Sequence, residues 1–274
     1  MGPKMRITFS CFAVVMVALF VWRLVEGQWS VVNWGSLLIA AVCCLLVFVR
    51  FVFIFNFSYG LIMVLNAAFI YWMIPSVASG LMALACILYG LRLFLFTWQR
   101  TNSASYAEKT AAVIKADEYF PMPARIALWF QDVWLMAFHL MALYFVALRG
   151  ELSVGVIVGS LTIFFGTVLE GGADWQKQKA KALSADALVT NGFFTRIRHP
   201  NYTGEILVQL GIVTAGLAVV ASISDILAVI IAPTYIFILM IAESRRVDQV
   251  QQDRCGENTD YQQWRAKSGA LLPF

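Results

Sequence analysis

Long apolar runs alternate with short polar breaks from residue 8 to residue 243. A hydrocarbon core about 30 Å thick takes roughly 20 apolar residues at about 1.5 Å of rise each. The pattern therefore predicts membrane helices at 8–25, 34–50, 55–74, 79–98, 124–147, 153–170, 204–222 and 226–243. The break between Arg50 and Ser58 is the shallowest, so the expected architecture is an all-α polytopic bundle of seven to eight spans. No polar block is long enough to fold alone, which makes 1–274 a single membrane domain.

Composition sharpens this reading. Hydrophobic residues make up 61% of the chain and charged residues 13%, against about 25% charge in a soluble domain. A net charge of +4 is too small to imply a nucleic-acid partner. Lysine and arginine favour cytoplasmic loops. Of the 20 present, all but Arg23, Arg92 and Arg149 fall at the N-terminus, at Arg50, in the 99–125 and 171–203 loops, or in the tail. That elaborate face is the expected cytoplasmic one, and the short opposite loops suit a bacterial inner membrane. The first run follows Lys4 and Arg6 but no small-x-small cleavage site follows it, so it reads as an uncleaved span. The five cysteines lie mostly in apolar runs and the two histidines are far apart, which gives neither a disulfide framework nor a metal site.

Five polar groups stand out against this background. In "TRIRHPNYTGE", residues 195–205, Asn191-Gly192 just upstream reads as a helix stop, and Pro200 makes His199 extended. Asn201, Tyr202, Thr203 and Glu205 then form a first helical turn, where free backbone N–H groups attract anions, with Arg196 and Arg198 beside it. A capped, positively anchored helix start explains the basic residues but not Glu205. In "LEGGADWQKQKAK", residues 169–181, Glu170, Asp174, Gln178 and Lys181 share one helix face, with Lys177 beside them and Lys179 pointing away. This is either a solvated face or a clasp for a ribose and phosphates. Inside the fourth span, Tyr89 and Arg92 share a face, and a buried arginine needs a partner or a wet cavity. Glu243 and Arg246 end the last span, as a stop-transfer signal or as groups closing over the same anion. Gln131, Asp132 and His139 in the fifth span are structural hydrogen-bonding groups or cavity lining.

"RHPNYTGE" resembles the RHP-x-Y-x-G signature of membrane methyltransferases of the isoprenylcysteine carboxyl methyltransferase type and of membrane sterol reductases. The glutamate after the glycine, the stretch "EGGADWQKQK" and the ending "ESRRVDQVQQDRCGENTDYQQWRAKSGALLPF" are similar to the steroid 5α-reductase-like group. The likeness runs from about residue 50 to 274 and is most specific over 170–211. It implies NADPH held by Glu170, Asp174, Lys181, Arg198, His199, Asn201, Tyr202, Glu205, Glu243 and Arg246, all within the C-terminal helices 124–274. It also implies N-terminal helices 1–100 lining a cavity for a lipophilic, steroid-like or isoprenoid-like substrate drawn from membrane lipid. There Tyr89, with Asn56 or Arg92, would polarise a ketone. Where steroid reductases carry a Gln-Glu pair, "FIFNFSYG" offers Asn56 and Tyr59, a pattern similar to the bacterial branch of the group. The rival implied by the same signature is S-adenosylmethionine-dependent methyl transfer.

Overall fold

The computed structural model describes residues 3–184 and 187–273, with side chains from Ser10 onward. The side chains of Lys4 and Arg6, and Phe274, lie outside it. Twelve α-helices account for most of these residues: α1 Pro3–Val25, α2 Val31–Cys43, α3 Leu46–Val49, α4 Tyr59–Met73, α5 Val77–Thr101, α6 Ala107–Glu118, α7 Met122–His139, α8 Met141–Arg149, α9 Val154–Leu183, α10 Pro200–Leu217, α11 Ile223–Cys255 and α12 Thr259–Ala266. No strand forms among the described residues.

Six stretches are long and apolar enough to cross a bilayer: 31–49, 54–73, 77–101, 122–149, 154–183 and 223–255. The chain is thus a helical membrane protein. The expected spans at 8–25 and 204–222 correspond to α1, whose apolar part is Ser10–Val25, and to α10. In α10 the polar side chains of Asn201, Tyr202, Glu205 and Gln209 dilute the apolar run. The expected helix stop at Asn191-Gly192 is displaced: α9 ends at Leu183. Gly192 instead takes a left-handed φ of 55° in a short 3₁₀ turn, where the Gln176 side chain donates to the Asn191 carbonyl at 2.8 Å.

One end of the bundle has tight connections, and serines start its helices. Ser30, Ser76, Ser153 and Ser222 each accept a hydrogen bond from a backbone N–H three residues on, at 3.3, 3.0, 3.3 and 3.2 Å. These caps satisfy donors that a helix start would otherwise leave bare beside the lipid boundary. The opposite, loop-rich end is tied by Arg125, which donates to the carbonyls of Val47 and Asp117 at 2.8 and 2.9 Å and pairs with the Asp117 carboxylate at 3.0 Å. Burial pushes the Asp117 acid up, but Arg125 and the Phe51 N–H outweigh it and hold it below its ordinary value. This clamp fixes the end of α6.

Two close helix crossings position the site. At α4–α5 the backbones of Gly60 and Gly90 meet, and a Cβ on Gly90 would lie 2.6 Å from the Gly60 carbonyl oxygen. At α9–α10 a Cβ on Gly204 would lie 2.6 Å from the Glu170 Cβ and 2.7 Å from the Gly166 carbonyl oxygen. Small residues permit such approaches in membranes, where helix association depends on packing rather than on expelling water. One apolar cluster runs from Met16 on α1 to Ile236 on α11.

Two irregularities flank a single point of the interior. A π-helical turn over Ile54–Ser58 leads directly into Tyr59, and the expected fifth span breaks at Leu140, immediately after His139.

Candidate active site

Helices α5, α9 and α10 meet where the glycine contacts draw them together. Tyr89 and Arg92 lie one turn apart on α5. Glu170 and Asp174 lie one turn apart on the facing side of α9. Arg92 Nη1 sits 2.7 Å from Glu170 Oε1, and Arg92 Nη2 donates to Asp174 Oδ2. The arginine inside the span has therefore found the partner its insertion cost demands. Its neighbours remain under-satisfied: Glu170 Oε2 and Arg92 Nε are buried without a hydrogen bond.

Glu205, on the next turn of the crossing, is 5% exposed and accepts three hydrogen bonds. Tyr89 donates its hydroxyl to Oε2. Tyr59 donates to Oε1 at 3.1 Å, and Gln209 Nε2 donates to Oε1 at 2.7 Å. Gln209 Nε2 also lies 3.0 Å from the Tyr59 hydroxyl, and His139 Nε2 lies 3.3 Å from it. Tyr59 has one proton and gives it to Glu205, so its oxygen must accept from the other two. This assigns the proton of His139 to Nε2 and leaves Nδ1, buried and unpartnered, as a bare acceptor. The result is a dry, directional network in which two tyrosine hydroxyls converge on one carboxylate.

Beyond Asp174, towards the loop-rich end, lies a cleft of about 130 Å³. Lys109, Lys177, Lys181, Arg198 and Arg254 line it, together with Gln251, and among the described residues no acid does. Lys181 and Arg198 are among the residues the sequence singles out. Lys109 and Arg254 reach the cleft from α6 and α11, which no local spacing connects to α9.

Arg198 and His199 have a second role. Arg198 Nη2 donates to Asp248 Oδ2 at 2.9 Å, and His199 Nε2 lies 2.7 Å from Asp248 Oδ1. Arg198 also donates to the Ser268 carbonyl. The backbone N–H groups of Arg198 and His199 donate to Gly269 and Ala270 at 2.8 and 3.0 Å. Thr203 bonds the Leu271 carbonyl at 2.7 Å and Trp264 bonds that of Phe194 at 2.8 Å. The tail thus straps the motif that begins α10. Burial lowers the His199 pKa more than Asp248 raises it, so the ring is neutral at pH 7. An unfolded histidine protonates near pH 6.5, whereas the folded one resists the proton. The stability His199 contributes is therefore complete above about pH 6.5 and is lost as pH falls below it. Thermal melts of wild type and His199→Gln between pH 7.5 and 5.5 should show a steeper acid-side loss in the wild type; parallel profiles would contradict this assignment.

The remaining expected residues divide. Tyr202 stacks on the His199 ring, centroids 5.4 Å apart, and Asn201 stands half-buried in the first turn of α10. Glu243 and Arg246 bind one another on an exposed face of α11, at 2.8 Å, and are not brought to Arg92. Asn56 lies on the π turn and takes no part in the Glu205 network; Tyr59, three residues on, supplies the hydroxyl instead. Gln131 donates to the Tyr235 hydroxyl at 2.8 Å, whereas Asp132 Oδ2 is buried without a partner. Among the described residues no three His, Cys, Asp or Glu side chains group to hold a metal.

A family described as a protein of unknown function, DUF1295, matches residues 45–268. No curated protein and no solved structure gives a match.

Proposed function

We propose that the chain, which belongs to the DUF1295 family, is an NADPH-dependent membrane reductase. It would act on a carbon–carbon double bond conjugated to a carbonyl in a lipophilic, steroid-like or isoprenoid-like substrate. The observation that carries this reading is the continuity of the polar path. It runs from a cleft lined by lysines and arginines, through the Arg92–Glu170–Asp174 group, to two buried tyrosine hydroxyls at Glu205. Phosphates suit the first part, ribose hydroxyls the second, and a carbonyl oxygen the third.

The donor set fits the nucleotide. Lys109 and Lys177 face one small cleft and repel each other unless anions enter between them. A phosphorylated dinucleotide supplies such anions, and the extra phosphate of NADPH supplies more than NADH. The bare Glu170 Oε2 needs a donor, because a buried unpaired acceptor costs about 1–3 kcal/mol, and a ribose hydroxyl is one. Lys109, Lys177, Lys181, Arg198 and Arg254 would hold phosphates, and Glu170 and Asp174 would hold ribose. Asn201, Tyr202 and Glu205 would border the nicotinamide end.

When bound, the nicotinamide supplies hydride to the substrate's β-carbon. The chain's own part is to manage the charge that develops on the carbonyl oxygen. Tyr89 gives its hydroxyl proton to Glu205 in the ligand-free arrangement. A carbonyl oxygen arriving beside it takes over as acceptor, and Tyr89 stabilises the negative charge and then delivers the proton. Tyr59, backed by Gln209 and His139, keeps Glu205 in place while Tyr89 turns away. Burial makes such a preorganised donor strong, since no water competes for it.

Methyl transfer from S-adenosylmethionine is the rival reading. That cofactor carries no phosphate for the lysines and arginines of the cleft to bind. In the reading proposed here, α1 and α10 complete an eight-span bundle, and the loop-rich end faces the cytoplasm of a bacterium. Denaturing the purified protein and analysing the released small molecules tests the choice of cofactor. NADP(H) is expected; S-adenosylmethionine in its place would overturn the reductase reading.

A further inference from the structure

A second cavity lies away from this site. It lies at the opposite end of α10 and α11, where the tight, serine-capped connections cluster, and measures about 440 Å³. That volume falls within the range of small-molecule sites. Its charged lining consists of Arg23 from the end of α1, Arg149 from the end of α8, and Asp225 from the first turn of α11.

Arg23 is 2% exposed and rigidly placed. Its Nη1 lies 2.6 Å from Asp225 Oδ1 and 3.3 Å from Ser224 Oγ, its Nη2 donates to the Gln28 carbonyl at 3.4 Å, and its guanidinium lies over the Phe145 ring. Arg149 donates Nε to the Val219 carbonyl at 3.1 Å, which aims its outer nitrogens while they find no acid among the described residues. The two arginines against Asp225 leave the site one positive charge in excess. Tyr144, 6% exposed, lines the same cavity, and its hydroxyl makes no hydrogen bond among the described residues. A hydroxyl that can donate, in the same cavity as a guanidinium with no acid partner among the described residues, is a recognition pair for an oxyanion.

The flanks say which oxyanion. Leu148, beside Arg149, is 53% exposed, and Val219 and Val220 complete an apolar rim at the end of the spans. A soluble anion has no use for that rim, whereas a lipid's acyl chains do. We infer that this cavity binds the phosphodiester headgroup of a membrane phospholipid, with the phosphate between Arg149 and the Tyr144 hydroxyl and the chains leaving over Leu148. The site is independent of the nucleotide reading, which concerns the other end of the molecule.

The test uses the full chain in detergent and native mass spectrometry. Dioleoyl phosphatidylglycerol, dioleoyl phosphatidylethanolamine, dioleoylglycerol and inorganic phosphate are added in separate arms. One phospholipid per chain should be retained by the wild type, and dioleoylglycerol should not. Arg149→Ala and Tyr144→Phe should each weaken retention by about tenfold, the effect of one charge-assisted hydrogen bond. Arg149 is exposed and the tyrosine change removes a single oxygen, so matched circular dichroism melts show that the fold survives. Equal retention of dioleoylglycerol, phospholipid retention unchanged in Arg149→Ala, or protection by inorganic phosphate without lipid retention would each overturn the proposal.

Discussion

Replacing Tyr89 with phenylalanine is expected to leave NADPH binding intact while cutting turnover by about 100–1000-fold, the usual cost of one preorganised donor to a developing oxyanion. The substitution is mild for the fold. Tyr89 is fully buried, but its ring stays, and Glu205 retains the hydroxyl of Tyr59 and the amide of Gln209 as donors. The measurement is NADPH oxidation with an enone that the wild type reduces, alongside a direct nucleotide titration. Equal loss of binding and turnover would place Tyr89 in cofactor binding and remove it as proton donor. Tyr59→Phe provides the contrast. It removes a group that holds Glu205 rather than one that meets the substrate, and so it should cost less.

The second large effect concerns Arg92. Changing it to methionine leaves Glu170 and Asp174, with side chains 9% and 10% exposed, without the guanidinium that bridges them. Breaking a buried ion pair from one side costs about 3–5 kcal/mol, which corresponds to a fall in melting temperature on the order of 10 °C for a domain of this size. Neutralising the acids as well, in Arg92→Met with Glu170→Gln and Asp174→Asn, should recover most of that loss, because the uncompensated charge is gone. A single Arg92→Met variant that melts like the wild type would show that the three groups are not coupled.

These two residues were legible in the sequence because helical spacing was enough to place them. Tyr89 and Arg92 at i and i+3, and Glu170 and Asp174 at i and i+4, each share a face, and the insertion cost of Arg92 demanded a partner such as the acids provide. Lys179, expected to point away, does so and lies over Trp175. Other contacts depend on more than local spacing. The resemblance pointed to Asn56 and Tyr59 together, and the π turn over 54–58 leads into Tyr59, whose hydroxyl reaches Glu205. His139 and Gln209 look like isolated polar residues until α7 and α10 are set side by side. The contacts of Arg198 and His199 with Asp248 and with the tail join residues some fifty or more positions apart, which no local spacing shows. Glu243 and Arg246 pair at i and i+3, a contact that helical spacing allows.

In the proposed reading, the cationic cleft and the Arg92 group together form a nucleotide site that prefers NADPH. A ligand that binds the folded state raises its melting temperature once it exceeds its dissociation constant. The direct measurement is therefore the thermal shift of detergent-purified protein with NADPH, NADH and S-adenosylmethionine at matched concentrations, repeated with Lys177→Glu. The account predicts the largest stabilisation with NADPH, a smaller one with NADH, none with S-adenosylmethionine, and loss of the NADPH shift in the variant. A shift with S-adenosylmethionine alone, or an NADPH shift untouched by Lys177→Glu, would contradict it.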